Sequence, residues 1–168
     1  MPEGEVAFDD RFHGRQSVDV HEQVGDFIVA SKAGLPAYQL AVVVDDARQG
    51  VTQVVRGDDL LRSTGRQLLL YRLLGLTPEP TYTHLPLVLG PDGRRLAKRH
   101  GDTRLDTYRK RGVRPQRIIG LLAWWCGITK HPTEMDAAAF AQAFDLGTLG
   151  QDPVTFTEEN EAWLLAGC

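Results

Sequence analysis

The run Arg95-Leu96-Ala97-Lys98-Arg99-His100-Gly101-Asp102 gathers four basic or titratable side chains into six residues and closes on Gly and Asp. Ammonium and guanidinium groups at this density suit a polyanion such as a triphosphate or pyrophosphate, through charge-assisted hydrogen bonds to its oxygens. A solvated charge run is the plain alternative. Two acidic pairs, Asp45-Asp46 and Asp58-Asp59, can be read as paired carboxylates or metal ligands. Roles at helix ends and in loops are the preferred reading. No C-x-x-C pair exists, which argues against a zinc site within the chain.

The basic run needs elements that present it. Gly90-Pro91-Asp92-Gly93 reads as a tight turn, since Pro presets φ and Gly tolerates positive φ. Ahead of it, 82–89 reads as an apolar strand, so a buried strand hands the chain to a basic loop. Residues 1–25 are polar and read as an irregular or edge segment, with Val6-Ala7-Phe8 a possible short strand. Asp26–Ser31 resembles a strand. Leu40, Val43, Val44 and Ala47 fall at helical spacing before Gly50, so 38–47 is read as a helix despite its β-branched run. Val51–Val55 alternates as a strand and exits into Arg56-Gly57-Asp58-Asp59. Ser63 or Thr64 is placed to cap a helix that stops at Gly75.

This alternation describes half of a parallel α/β sheet, in which ligands sit at the carboxyl ends of strands. Beyond the loop the pattern is helical. Asp102 or Thr103 can cap a short helix to Arg111, Pro115 opens an apolar one, 136–144 is amphipathic, and Thr157 caps the last. Trp124 and Trp125 could stack on bases, but their apolar helix makes core packing the better reading. The division read from the sequence is 1–25 as a connecting or edge segment, 26–93 as half of a Rossmann-type core, and 94–168 as the basic loop with a helical appendage. A half-sheet leaves a bare edge open to self-association.

The formal net charge is −3, so nucleic-acid binding requires a local patch, and positions 94, 95, 98, 99, 104, 109, 110, 111, 114 and 117 supply one. Two distant cysteines form no disulfide framework. No signal peptide and no apolar run near the ~20 residues that span a bilayer is present. A soluble, cytoplasmic protein without membrane contact is expected.

Several blocks in order carry a family resemblance: Tyr38–Asp46, Gly50-Val51-Thr52, Val55–Leu60, Ser63-Thr64-x-Arg66-Gln67, His84-Leu85-Pro86-Leu87, and the basic loop. Together, over about 26–127, they resemble the catalytic core of glutamyl-type class I aminoacyl-tRNA synthetases. The loop Arg95–Arg99 resembles that class's second signature, the lysine-serine-lysine loop. The tail Phe156-Thr157-x-x-Asn160-x-Ala162-Trp163-Leu164 resembles the short branch of the family, the glutamyl-queuosine tRNA(Asp) synthetases. The resemblance implies a Rossmann-type fold, ATP with Mg²⁺, and glutamate transfer to queuosine in the anticodon of tRNA(Asp). The alternatives are a core charging tRNA(Glu) and a non-catalytic tRNA-binding half-domain.

Carried over by position, the resemblance implies that Lys98 stabilises the ATP phosphates during catalysis with Arg99 beside it, and that Tyr38 and Arg56 bind glutamate. Two plainer roles stay open: a packing aromatic for Tyr38, and a salt bridge to Asp58 or Asp59 for Arg56. His84 faces the nucleotide or is satisfied within its strand. Two departures stand out. None of the five histidines forms the first signature, histidine-x-glycine-histidine. The chain is therefore expected to be the C-terminal half of the enzyme and inactive alone, with the family's zinc cluster in the other half. Within the loop, Ala97 stands for the usual serine and Arg95 for the usual lysine; the lost serine hydroxyl is expected to weaken ATP binding, with Lys98 retained.

Overall fold

The computed structural model describes residues 4–96 and 103–166, and the chain divides into two units, Met1–Leu85 and Pro86–Cys168. In the first unit, alternation builds β1 (Glu5–Asp10), which buries Val6, Phe8 and Asp10 on one face. β2 (Gly14–Asp19) returns antiparallel to it, from Asp10↔Gly14 to Glu5↔Asp19. The short helix α1 (Val20–Gln23) follows, with the Asp19 carboxylate accepting from the Glu22 amide. A regular hairpin thus stands where an irregular or edge segment was anticipated for 1–25: β1 contains the short strand read at Val6–Phe8, and β2 is the edge of the sheet. Its strands read as polar because β2 buries only Val18, as an edge strand does. The strand anticipated at 26–31 does not form. That segment makes one isolated bridge, Ala30↔Pro36, with Ile28 74% exposed. No sheet neighbour is there to bury its apolar residues.

The helix read at 38–47 forms as α2 (Tyr38–Gln49), ended by Gly50 at φ 67°. Its β-branched run is accommodated because Val43 packs on Leu70 and Tyr71. β3 (Gln53–Gly57) passes through a 3-10 turn, Asp58–Leu60, straight into α3 (Leu61–Leu73). Ser63 and Thr64 are therefore buried inside the helix instead of capping it. β4 (Thr81–Leu85) runs parallel to β3, from Gln53↔Thr81 to Gly57↔Leu85. The sheet order is β2-β1-β4-β3, with β1, β4 and β3 parallel. Phe8, Val18, Leu68 and Tyr82 centre its core. A Cβ on Gly65 would lie 2.6 Å from the Val18 Cβ, so α3 lies close on the hairpin at a position that only glycine fits.

The strand anticipated over 82–89 breaks at Pro86, and its second part belongs to the other unit. There β5 (Val88–Leu89) begins the unit, followed by α4 (Leu105–Lys110), α5 (Pro115–Trp125) and α6 (Ala137–Ala143). β6 (Val154–Thr155) pairs parallel with β5, and α7 (Glu158–Leu165) ends the described chain. Thr157 and Asn160 cap α7 reciprocally, as its sequence anticipates. α4 has Arg104 at its N-cap and no side-chain cap, so Thr103 does not take that role. Tyr108, Val113, Leu121, Phe156 and Leu164 form the core, and Trp125 meets Phe156 edge-on at 6.3 Å.

Candidate functional site

On the face of the first sheet that meets α3, apolar residues give way to polar ones toward the carboxyl ends of the parallel strands. Phe8, Tyr82 and Val54 are succeeded two residues later by Asp10, His84 and Arg56. Arg56 and His84 are register partners across β3 and β4. His84 is fully buried and Asp10 is 3% exposed. A buried carboxylate needs several donors to be tolerated, and Asp10 has them. Its Oδ1 accepts from the Phe12 and His13 amides at 3.0 and 2.9 Å. Its Oδ2 accepts from the His84 amide at 3.1 Å and lies 2.7 Å from His84 Nδ1.

The tautomer of His84 follows from its other nitrogen. Arg56 Nε donates to His84 Nε2 at 2.9 Å. A guanidinium only donates, so Nε2 carries no proton, and the ring proton sits on Nδ1, donated to Asp10. Burial holds His84 below its ordinary pKa; the Asp10 hydrogen bond opposes that and the Arg56 charge adds to it. Burial pushes the Asp10 carboxyl upward, but the hydrogen bonds from His13, His84 and Phe12 outweigh it, and the net shift is downward.

Arg56 Nη2 donates to Thr64 Oγ1 and to Gln67 Oε1, each at 2.8 Å, and the guanidinium lies 5.3 Å from the Tyr82 ring centroid. Among the described residues, its hydrogen bonds go to His84, Thr64 and Gln67 rather than to Asp58 or Asp59. All three acceptors are uncharged, and Nη1 has no hydrogen-bond partner among the described residues. Burial lowers the pKa of Arg56, opposed by Tyr82, Tyr38, Asp46 and Asp10. A guanidinium stays charged even so. The site is therefore a held positive charge with part of its fork unused, which suits a carboxylate.

Tyr38 opens α2 and is 57% exposed, so the packing-aromatic reading does not describe it. Its neighbour Gln39 accepts from Gln67 Nε2 at 2.7 Å, which ties the start of α2 through Gln67 to Arg56. Of the residues singled out in the sequence, Arg56 lies in this hydrogen-bonded network, and Tyr38 adjoins it through its neighbour Gln39. Of the basic loop, Arg95 bridges to Leu89 and the Leu96 amide donates to Val88 O. Ala97, Lys98 and Arg99 lie outside the described residues, as does His100. Among the described residues no group of three or more His, Cys, Asp or Glu is placed to hold a metal ion.

The sequence reading gave Asp10 no role, read Thr64 as a helix cap, and used Thr64, Gln67 and Gln39 only as parts of the family blocks, without placing any of them at the site. Asp10 carried one usable signal: it continues the buried parity of Val6 and Phe8 with a charged residue.

Residues 1–160 match the family of class I tRNA synthetases (E and Q), catalytic domain. A glutamyl-Q tRNA(Asp) synthetase of Symbiobacterium thermophilum is 46% identical over 167 residues, covering 99% of this chain and 51% of that protein. A glutamate–tRNA ligase of Heliobacterium modesticaldum is 39% identical over 165 residues, covering 96% of this chain and 32% of that protein. The crystal structure of a glutamate tRNA ligase from Elizabethkingia meningosepticum, in complex with its amino acid, superposes with a TM-score of 0.75 at 28% identity. It covers 98% of this chain and 36% of that one. The chain thus spans about half or less of the length of these relatives. Fold, ordered motifs and family match agree, and the chain belongs to the class I (E and Q) tRNA synthetases, within their catalytic domain.

Proposed function

We propose that this chain supplies the glutamate-recognising and phosphate-handling part of an ATP-dependent, glutamate-activating synthetase. One observation carries the reading: Arg56 is held by three neutral acceptors and, among the described residues, keeps Nη1 unused. A glutamate carboxylate completes that fork, and the exposed Tyr38 hydroxyl is a second contact. The reaction is attack of the glutamate carboxylate on the α-phosphate of ATP, releasing pyrophosphate. Lys98 and Arg99 are assigned to the phosphates, where positive charge stabilises the departing pyrophosphate. Ala97 supplies no hydroxyl there. Mg²⁺ would arrive with the nucleotide, which supplies its main ligands.

The acceptor we assign is queuosine in the anticodon of tRNA(Asp). The support is the higher identity to a glutamyl-Q tRNA(Asp) synthetase, 46% against 39% for a glutamate–tRNA ligase. Radiolabelled glutamate and ATP are incubated with a complete synthetase into which this chain is built as its matching half, together with tRNA(Asp) bearing queuosine, tRNA(Asp) lacking it, or tRNA(Glu). Label on the queuosine-bearing tRNA alone is the expected result, and label on tRNA(Glu) would replace this reading with the second. Because its histidines do not form the first signature, the 168-residue chain alone is expected to give no glutamate-dependent pyrophosphate exchange. Exchange at the rate of a complete synthetase would contradict that.

A further inference from the structure

Contact with glutamate accounts for Arg56 but gives no role to the buried Asp10–His84 couple behind it. We infer that Asp10 and His84 are positioning residues for Arg56, the carboxylate fixing the Nδ1–H tautomer so that Nε2 holds the guanidinium before any ligand arrives. This inference rests on the assignment of Arg56 to glutamate.

The division of labour at Asp10 supports it. Oδ1 pins the hairpin turn through the Phe12 and His13 amides and also accepts, at 3.3 Å, from the His84 amide. Oδ2 is turned to His84, across 74 residues of sequence. The far edge of the ring is turned to Arg56. A free arginine side chain loses rotamer freedom when it is fixed, and holding it in place beforehand removes that cost from binding.

The charged and titratable groups facing His84 are few. Asp10 comes from β1, His13 from the turn after it, Arg56 from β3 and Tyr82 from β4, stacked at 6.1 Å. From α3 come only Thr64, whose Oγ1 lies 3.3 Å from Nε2, and Gln67, which reaches the site through Arg56; neither is charged. Protonating Nε2 would remove the acceptor of Arg56 Nε and set a second positive charge against the guanidinium. Glutamate binding should therefore weaken as pH falls through the range where His84 takes a proton.

The test uses the isotope-labelled 168-residue chain and L-glutamate. In the parent, Arg56 Nε–H should give one slowly exchanging signal with coupling across the hydrogen bond to His84 Nε2. Asp10→Asn keeps an oxygen for the turn but places an amide donor at Nδ1. It should move the ring proton to Nε2, erase that coupling, and weaken L-glutamate binding about tenfold, the size typical of losing a supporting hydrogen bond. His84→Leu, which removes the acceptor altogether, should weaken L-glutamate binding by a similar factor. His84→Gln, which restores an acceptor near Nε2, should stay within about threefold and lose the acid-side fall in affinity.

Binding by folded Asp10→Asn and His84→Leu within twofold of the parent would overturn the inference. Absence of the coupling in the parent would overturn it as well, and that measurement stands even if a variant does not fold. If Arg56→Met also leaves affinity unchanged, the glutamate assignment fails, while the coupling still decides whether the pair holds Arg56.

Discussion

Two arginines, one in each unit, show how the same side chain is put to different use. Arg117 of α5 lies 4.2 Å from the Trp163 ring centroid, donates to the backbone oxygens of Trp163 and Leu164, and pairs with Glu134 at 3.1 Å. Its charge meets a carboxylate and the negative end of α7, so it closes a helix terminus and is spent on the fold. Arg56 also lies over an aromatic ring and also makes three hydrogen bonds, but to a neutral imidazole, a hydroxyl and an amide. Its charge is held without being matched. Geometry alone does not separate the two. The charge state of the hydrogen-bond partners does: those of Arg117 include a carboxylate, and those of Arg56 are all neutral.

Substitution should separate them. Arg117→Met leaves two helix-end carbonyls short of a donor and Glu134 with Arg114 alone, and should destabilise residues 86–168 by about 3 kcal/mol, seen in denaturant unfolding. Arg56→Met leaves no carboxylate hydrogen-bonded to it unpaired, but deprives buried His84 Nε2 of its donor while Thr64 and Gln67 keep other partners, so its cost should be about 1–2 kcal/mol. Comparable losses in both variants would erase the distinction. Acid should act on the first unit. His84 is held below 6.5 and Asp10 below 3.8. In each window the unfolded chain binds more protons than the folded one, so stability falls as pH drops below about 6.5 and falls further below about 3.8. Amide exchange in β1 and β4 followed from neutral to acid pH checks this, and His84→Gln should remove the first step. The smallest effect belongs to an arginine on the surface. Arg72 pairs with Glu79 at 2.8 Å with both side chains more than a third exposed, and Arg72→Ala should cost no more than about 0.5 kcal/mol.

Much of the scaffold around these arginines was legible locally. Gly50 after α2, Pro115 at the start of α5 and the Thr157–Asn160 cap are signals within one helical turn. The α/β class and Arg56 at the exit of β3 were read from alternation and order. The partners of Arg56 were not, because they depend on contacts distant in sequence: His84 meets Asp10 across 74 residues, and Gln39 meets Gln67 across 28. The hairpin at 5–19 was hidden by a polar edge strand, and the apolar run at 26–31 by having no sheet to join. Ser63 and Thr64 looked like caps because hydroxyls before an apolar run usually are. The 3-10 turn at Asp58–Leu60 had already started the helix. Thr64 was thereby freed to accept from Arg56.

The central claim, that Arg56 is the carboxylate-receiving charge, is tested most directly by titrating L-glutamate into the chain and into Arg56→Gln side by side, by calorimetry. The account predicts saturable binding to the parent and a loss of affinity of about a hundredfold in the variant, the scale of one or two charge-assisted hydrogen bonds. Equal affinity in the two proteins, with both folded, would contradict it.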